Sequence, residues 1–316
     1  MIIVTGGSGF IGSNVVMELN KRGRNDILVS DRLDASAKWK NLRGLDMADY
    51  ADKDRLLDVM DAKTVEAVIH LGANTDTTER DARQIMDENF EYGKKLWRYC
   101  AKHHIRFIYA SSASVYGDGA LGYSEAIPPE KLTPLNAYAY SKLLFDRWAV
   151  RQPASPPLWA GLRFFNVYGP GEAHKNHMAS MVFHAFHQIK KNGVVRLFKS
   201  YDPSFPDGEQ KRDFVYVGDV ADICLFLLDR DAFPSGFYNV GTGHAQSFNE
   251  LVNALFASLS LTPSIEYIEM PAALIRQYQY FTEADIGRLR QIGYERPIRT
   301  IQDGVAEYAR YLLRNE

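Results

Sequence analysis

Ile2-Ile3-Val4-Thr5-Gly6-Gly7-Ser8-Gly9-Phe10-Ile11-Gly12 is the stretch from which the rest of the chain reads. An apolar run opens it, and glycines follow at the spacing of a strand-to-helix turn. Gly6 permits the tight turn, Gly9 lets backbone approach a pyrophosphate, and Gly12 lets the next helix pack closely on the strand. The free N–H groups and partial positive charge of that helix N-terminus suit phosphates. Glycines alone are a weak signal, since chance matches are common. The flanks decide the matter: Val15, Val16 and Leu19 continue a helical apolar stripe. A second strand, Asp26 to Ser30, runs into Asp31, close to the ~20-residue offset of a ribose-binding acid. Gly6, Gly9, Phe10, Ile11, Gly12 and Asp31 are therefore candidate dinucleotide contacts.

Strand and helix patterns alternate through the first half of the chain. Ala67 to Leu71 and Ile105 to Ala110 read as buried strands, with a helix from Asp81 to His103 between them. Asn136 to Val150 reads as a helix and Leu158 to Val167 as one further strand. This βαβ alternation predicts an α/β fold with a doubly wound parallel sheet of the Rossmann kind. Shorter pieces follow at Val195–Phe198, Asp213–Val217, Phe237–Val240 and Ile265–Ile268, around a polar loop from Tyr201 to Gln210. They read as a second, smaller α/β substrate lobe interwoven with the first. The expected division is 1–168 plus 214–241 for the dinucleotide domain and 169–213 plus 242–316 for the substrate lobe. Helices at Ser247–Leu259 and Ile301–Leu313 close the chain.

Bulk properties narrow the function classes. The 316 residues favour one large or two closely joined domains. Lys and Arg number 37 against 39 Asp and Glu, so no basic footprint for nucleic acid exists. Cys100 and Cys224 lack metal spacing, and a reducing cytoplasm fits them better than a disulfide does. The first strand begins at once, so no signal peptide is expected, and no run of ~18 apolar residues predicts a membrane span. His174, His177, His184 and His187 invite a metal reading, yet no carboxylate or cysteine completes a set, so none is expected.

Tyr138-Ala139-Tyr140-Ser141-Lys142 carries the chemistry. Residues at i and i+4 share a helix face, which puts Lys142 beside Tyr138. A phenol of pKa ~10 is a poor base at neutral pH, and a neighbouring ammonium lowers that pKa. The pair then takes a proton from an alcohol while a nicotinamide takes the hydride. Tyr140 has no such partner, because position 144 is Leu. Alone, the motif reads as an ordinary helix; downstream of a nucleotide turn it reads as catalytic. Ser111 and Ser112 follow a strand where open parallel sheets bind ligands, and Ser112 is the preferred hydroxyl for orienting the alcohol.

These motifs, together with Arg163-Phe164-Phe165-Asn166-Val167-Tyr168-Gly169-Pro170 and Arg212-Asp213-Phe214-Val215-Tyr216-Val217-Gly218-Asp219-Val220, resemble the extended short-chain dehydrogenase/reductase family acting on nucleotide sugars. The Gly169–Lys175 segment, Met178-Ala179-Ser180, Phe183-His184, Tyr278-Gln279-Tyr280-Phe281-Thr282 and Asp303–Tyr308 are similar to the branch that epimerises ADP-heptose at C6. The resemblance implies transient oxidation to a ketone and reduction on the opposite face. Two bases would serve two substrate orientations, and in the resembling branch these map to Tyr138 and Lys175. From its residues alone, Lys175 reads equally as a phosphate ligand or a solvated loop lysine.

The same resemblance implies NADP, with NAD a close alternative. Asp31 alone suggests NAD, whereas Arg32, Lys38 and Lys53 could hold a 2′-phosphate. Asp46 and Met47 match the adenine position, and Leu71, Gly72, Ala73, Asn74 and Thr75 match the cofactor loop. The family more usually carries an acidic residue where Leu71 stands, which leaves a backbone contact or none. Asn89 borders that loop, and Tyr138, Lys142, Val167 and Lys175 complete the implied cofactor set. Implied substrate contacts are Ser112, Asn166, His184, Phe198, Lys199, Arg212 and Tyr278, with Arg212 as the diphosphate clamp. Phe198 and Lys199 stand in a segment whose sequence differs from the family's and whose following loop is longer. The resemblance further implies a homo-oligomer, a cytoplasmic setting and a product used for lipopolysaccharide core assembly. A 4-epimerase and a non-catalytic NADP-binding regulator are the rival readings. A dehydratase is disfavoured, because Ser112 is followed by Ala113-Ser114-Val115 and not by an Asp-Glu pair.

Overall fold

Seven parallel strands form the centre of the computed structural model, which describes residues 1–76, 81–275 and 278–315. In chain order they are β1 (Ile2–Thr5), β2 (Ile27–Asp31), β3 (Asp49–Asp52), β4 (Ala67–His70), β5 (Arg106–Ser112), β6 (Trp159–Phe164) and, after four short strands, β11 (Gly236–Val240). Those four are β7 (Asn166–Tyr168), β8 (Val195–Phe198), β9 (Lys211–Arg212) and β10 (Phe214–Tyr216); β12 (Gln246–Ser247) and β13 (Ile265–Ile268) come last. The large sheet runs β11-β6-β5-β4-β1-β2-β3. Thr5 pairs with Ser30 on one side and His70 on the other. Strand order therefore reverses at β1, and a crevice opens above the carboxyl ends of β1 and β4, where such sheets bind ligands.

Burial on both faces explains the near-continuous apolar strands. Ile2, Val4, Val15, Leu19 and Val29 pack on one face with Val220 and Leu227, and Ile3, Leu28, Trp97 and Phe107 pack on the other. The main helices are α1 (Phe10–Lys21), α2 (Tyr92–Lys102), α3 (Ala137–Ala149), α4 (Met181–Asn192), α5 (Val217–Asp229), α6 (Phe248–Ser258) and α7 (Ile301–Asn315). A separate core joins Val182, Phe186 and Ile189 of α4, Leu251 and Leu255 of α6, and Val305 and Leu312 of α7.

The expected strand Leu158–Val167 is divided. Phe165 still donates to Val240 O, but Val167 N–H turns back to Phe165 O. β7 then leaves the large sheet and pairs with β10. The largely apolar run passes across the break at Phe165 without a Gly or Pro there, so periodicity carried no sign of it. The helix expected over 81–103 contains a π-helical stretch at Met86–Glu91 before α2. β3 is a polar edge strand, Asp49-Tyr50-Ala51-Asp52, without a signal in the pattern. Among the described residues, no helix is long and apolar enough to cross a membrane, and no group of three His, Cys, Asp or Glu could hold a metal.

Candidate active site

Backbone geometry builds the phosphate side of the crevice. Gly6 has φ +67° and lies against Gly72, so a side chain there would meet the β4 loop. A Cβ on Gly12 would run into the Gly6 carbonyl, which allows α1 to start directly beneath the turn. Gly9 stands at the N-cap of α1 with no side-chain hydrogen bond to the helix. The α1 N-terminus thus faces a cavity of about 520 Å³ lined by Gly6, Gly9, Phe10, Ile11, Gly12, Asp31, Arg32, Lys38 and Leu71–Asp76. This cradle, closed to any Cβ, suits a dinucleotide pyrophosphate.

Asp31 is fixed where the adenosine ribose is expected. It accepts from Ser8 N at 3.0 Å, from the Ser8 hydroxyl, from Arg32 N at 2.8 Å and from Lys38 Nζ at 2.8 Å. Lys53 and Glu88 lie 3.7 Å apart beneath it, and Lys53 lines a smaller cavity shared with Asp31, Arg32 and Lys38. Asp46 and Met47 line neither cavity. The Asp46 backbone exchanges two hydrogen bonds with the Asn20 side chain, and Met47 packs on the sheet core. Leu71 lines the crevice while its N–H donates to Thr5 O. Asn89 is buried, accepts from Asn74 N, donates to Asn74 O and donates to Ser141 Oγ. It therefore braces the loop after β4 from behind.

The adjoining cavity, about 390 Å³, is lined by Ser111, Ser112, Tyr138, Lys142, Asn166, Val167 and Lys175. Phe10, Ile11, Leu71, Ala73, Thr75, Lys175 and Met178 line both, so the two spaces are continuous in their walls. Asn136 caps α3 by accepting from Ala139 N, and the helix then presents Tyr138 and Lys142 on one face. Lys142 Nζ lies 6.0 Å from the Tyr138 ring centre and donates to Ala110 O at 2.9 Å.

The electrostatics differ from the expectation for Tyr138. Burial pushes its phenol up, and a hydrogen bond with Ser112 only partly offsets that. The Lys142 ammonium is committed to the Ala110 carbonyl, and burial lowers its own pKa to about 8 while Asp146 opposes the shift. Desolvation, and not the expected lowering by Lys142, therefore sets the direction of the shift at Tyr138.

Lys175 stands on a short 3₁₀ turn, Ala173–Met178, across the cavity. Burial lowers its pKa and the Glu172 charge opposes. Glu172 anchors this turn, accepting from Ser180 N and Ser180 Oγ, both at 2.6 Å, and from Gly169 N at 3.3 Å. Asn14 donates to Pro170 O, and Asn41 donates to both Ser8 O and Gly171 O. The Lys175 segment consequently rests on the phosphate turn.

The implied substrate residues separate into two groups. Arg212 is buried beneath Tyr278, its guanidinium 5.1 Å from that ring, and it donates to Lys211 O. His184 packs against Phe183 on α4, and Lys199 pairs with Glu269 at 2.6 Å. Phe198, Lys199, His184, Arg212 and Tyr278 do not line the cavity that holds Tyr138.

Two buried groups escaped the sequence reading. Asp146 accepts from Tyr109 Oη and Ser111 Oγ, each at 2.9 Å, and pairs with Arg163 at 3.3 Å. Arg163 also donates to Tyr116 Oη, which donates to Asn239. The available signal was the i+4 spacing of Asp146 after Lys142.

A dinucleotide crevice that opens beside a Tyr-Lys pair is the arrangement of a nicotinamide-dependent enzyme, and this chain belongs to the NAD dependent epimerase/dehydratase family, whose model matches residues 2–241. ADP-L-glycero-D-manno-heptose-6-epimerase of Fusobacterium nucleatum is 50% identical over all of this chain and 99% of its own length. The protein of that name from Nitratidesulfovibrio vulgaris is 46% identical over 99% of this chain and 98% of its own. The crystal structure of the Helicobacter pylori ADP-L-glycero-D-manno-heptose-6-epimerase matches with TM-score 0.83 and 30% identity, covering 99% of this chain and 96% of that one.

Proposed function

We propose that this chain interconverts the C6 epimers of ADP-glycero-manno-heptose through a transient C6 ketone. The carrying observation is that Tyr138 and Lys175 line one cavity that adjoins the dinucleotide crevice. The relatives' names point to the sugar. Bound nicotinamide supplies a hydride acceptor that later becomes the donor.

In one substrate orientation Tyr138 receives the C6 hydroxyl proton, and Ser112 holds that oxygen in reach. Lys142, still largely charged at neutral pH with its pKa near 8, favours the phenolate. In the other orientation Lys175 exchanges the proton from the facing wall. Burial shifts Lys175 towards its neutral form, the direction a base requires. Two proton donors spare the enzyme from rotating the whole nucleotide sugar to reach both faces of C6. Ser111 assists by anchoring the end of β5.

NADP is the proposed cofactor within this NAD(P)-using family, with Arg32, Lys38 and Lys53 as the 2′-phosphate side and Gly6–Gly12 and Gly72–Thr75 as the pyrophosphate and nicotinamide sides. Residues 1–168 plus 214–241 would carry the dinucleotide and 169–213 plus 242–316 the sugar. Arg212 and Tyr278 would meet the diphosphate once the substrate lobe closes. A homo-oligomer acting in the cytoplasm completes the reading.

The test is incubation with one ADP-heptose epimer in D₂O. The expected result is a mixture of C6 epimers with protium retained at C6 and UDP-hexoses unchanged. Deuterium at C6, or epimerised UDP-hexose with inert ADP-heptose, would overturn it. Mass spectrometry of co-purified cofactor tests NADP directly.

A further inference from the structure

The cations that would hold a 2′-phosphate are already engaged. Lys38 pairs with Asp31 at 2.8 Å, Arg32 Nη2 pairs with Glu88 Oε1 at 2.9 Å, and Lys53 Nζ lies 3.7 Å from the same oxygen. The two carboxylates differ in freedom. Asp31 is locked by Ser8, Arg32 N and Lys38 in a buried position. Glu88 projects from the π-helical stretch Met86–Glu91 into the adenosine side of the crevice, lining the large and the small cavity there. Its side chain is 15% exposed whereas Arg32 is 50% exposed, so the carboxylate is the less hydrated member of the pair.

We propose that Glu88 is a specificity-determining residue that weakens NADP relative to NAD by competing with the 2′-phosphate for Arg32 and Lys53. A phosphate carrying two charges must either displace the carboxylate from both cations or sit beside it, and like charges at that range repel. A 2′-hydroxyl makes no such demand and donates to Asp31. In the smaller cavity the lining cations Arg32, Lys38 and Lys53 face Asp31 and Glu88, which leaves one net positive charge; removing Glu88 leaves two. The inference deepens the cofactor reading above, since it concerns the same subsite.

Glu88→Gln keeps the shape and removes the charge. Dissociation constants for NADPH and NADH, measured by fluorescence titration on the intact chain, give the readout. The expected result is NADPH affinity at least about tenfold tighter and NADH affinity within about twofold of the parent. Arg32→Gln should shrink the NADPH gain of Glu88→Gln in the double variant, because one of the two released cations is then absent. An unchanged NADPH-to-NADH ratio in Glu88→Gln, or equal loss of both cofactors, would overturn the proposal. Retained NADH binding reports that the variant has folded. A parent protein that prefers NADH would correct the NADP assignment and leave the Glu88 effect to be read from the ratio alone.

Discussion

Asp146 and Arg163 form an ion pair with both side chains fully buried, one helical turn beyond Lys142. Asp146 also ties down the Tyr109 and Ser111 hydroxyls of β5, the strand whose Ala110 carbonyl receives the Lys142 ammonium. The pair thus joins the helix bearing Tyr138 to the strand bearing Ser112, and its negative charge supports protonation of Lys142.

Asp146→Asn should therefore act twice. Removing one member of a buried pair leaves Arg163 uncompensated, a loss of about 3–5 kcal/mol in unfolding free energy. Lys142 loses a charge that raises its pKa, so the alkaline limb of kcat/KM, expected near pH 8 in the parent, should move to lower pH. Denaturant melts and a pH–rate profile measure the two effects. A stability loss with an unmoved limb would assign Asp146 a packing role only.

Tyr138→Phe and Lys175→Met should each lower turnover by about 10²–10⁴-fold, the usual range for a positioned acid or base, while cofactor affinity falls little. Single-turnover assays starting from each epimer should show opposite defects: one variant stalls before the ketone and the other after it. Equal rates in either variant would remove that residue from the two-base scheme.

Asn176 has φ +50° and ψ −120°, a backbone conformation that favours glycine, directly after Lys175. Asn176→Gly should raise stability by about 1 kcal/mol, and Asn176→Val should lower both stability and turnover. Thermal melts with parallel rate measurements check this. A destabilised glycine variant would mean that the asparagine side chain outweighs its backbone strain.

His70 is buried against Thr5, 2.6 Å from its hydroxyl, and burial lowers its pKa to about 3. The unfolded chain binds this proton near pH 6.5 and the folded chain near 3, so the stability it contributes is present above 6.5 and declines as pH falls towards 3. The slope is up to about 1.4 kcal/mol per pH unit. His70→Asn should flatten that part of the stability–pH curve; an unchanged slope would place the acid sensitivity elsewhere.

The fold was legible where chemistry and periodicity coincide. Gly6 and Gly12 are placed by steric demands that no other residue meets, and β1, β2, β4 and β5 are apolar because the sheet is covered on both faces. The Tyr138–Lys142 spacing gave a shared helix face directly. Less legible were features fixed by long-range pairing. The break between β6 and β7 depends on Val240 and Asp213 backbone groups, 75 and 47 residues away from their partners Phe165 and Asn166. The carboxylates Glu88, Asp146 and Glu172 look like any helix or loop acid until their partners arrive from other elements. Desolvation, which reverses the expected shift at Tyr138, depends on the completed cavity and is invisible in a local motif.

Asn89 grips Asn74 at both its N–H and its carbonyl and holds Ser141 with the same amide. The loop after β4 and the helix with the phenol are therefore tied into one stiff unit. For a reaction that must give back what it took, such stiffness protects fidelity: loosening it with Asn89→Ala would let the half-made sugar escape, leaving each molecule of catalyst stranded in its reduced form.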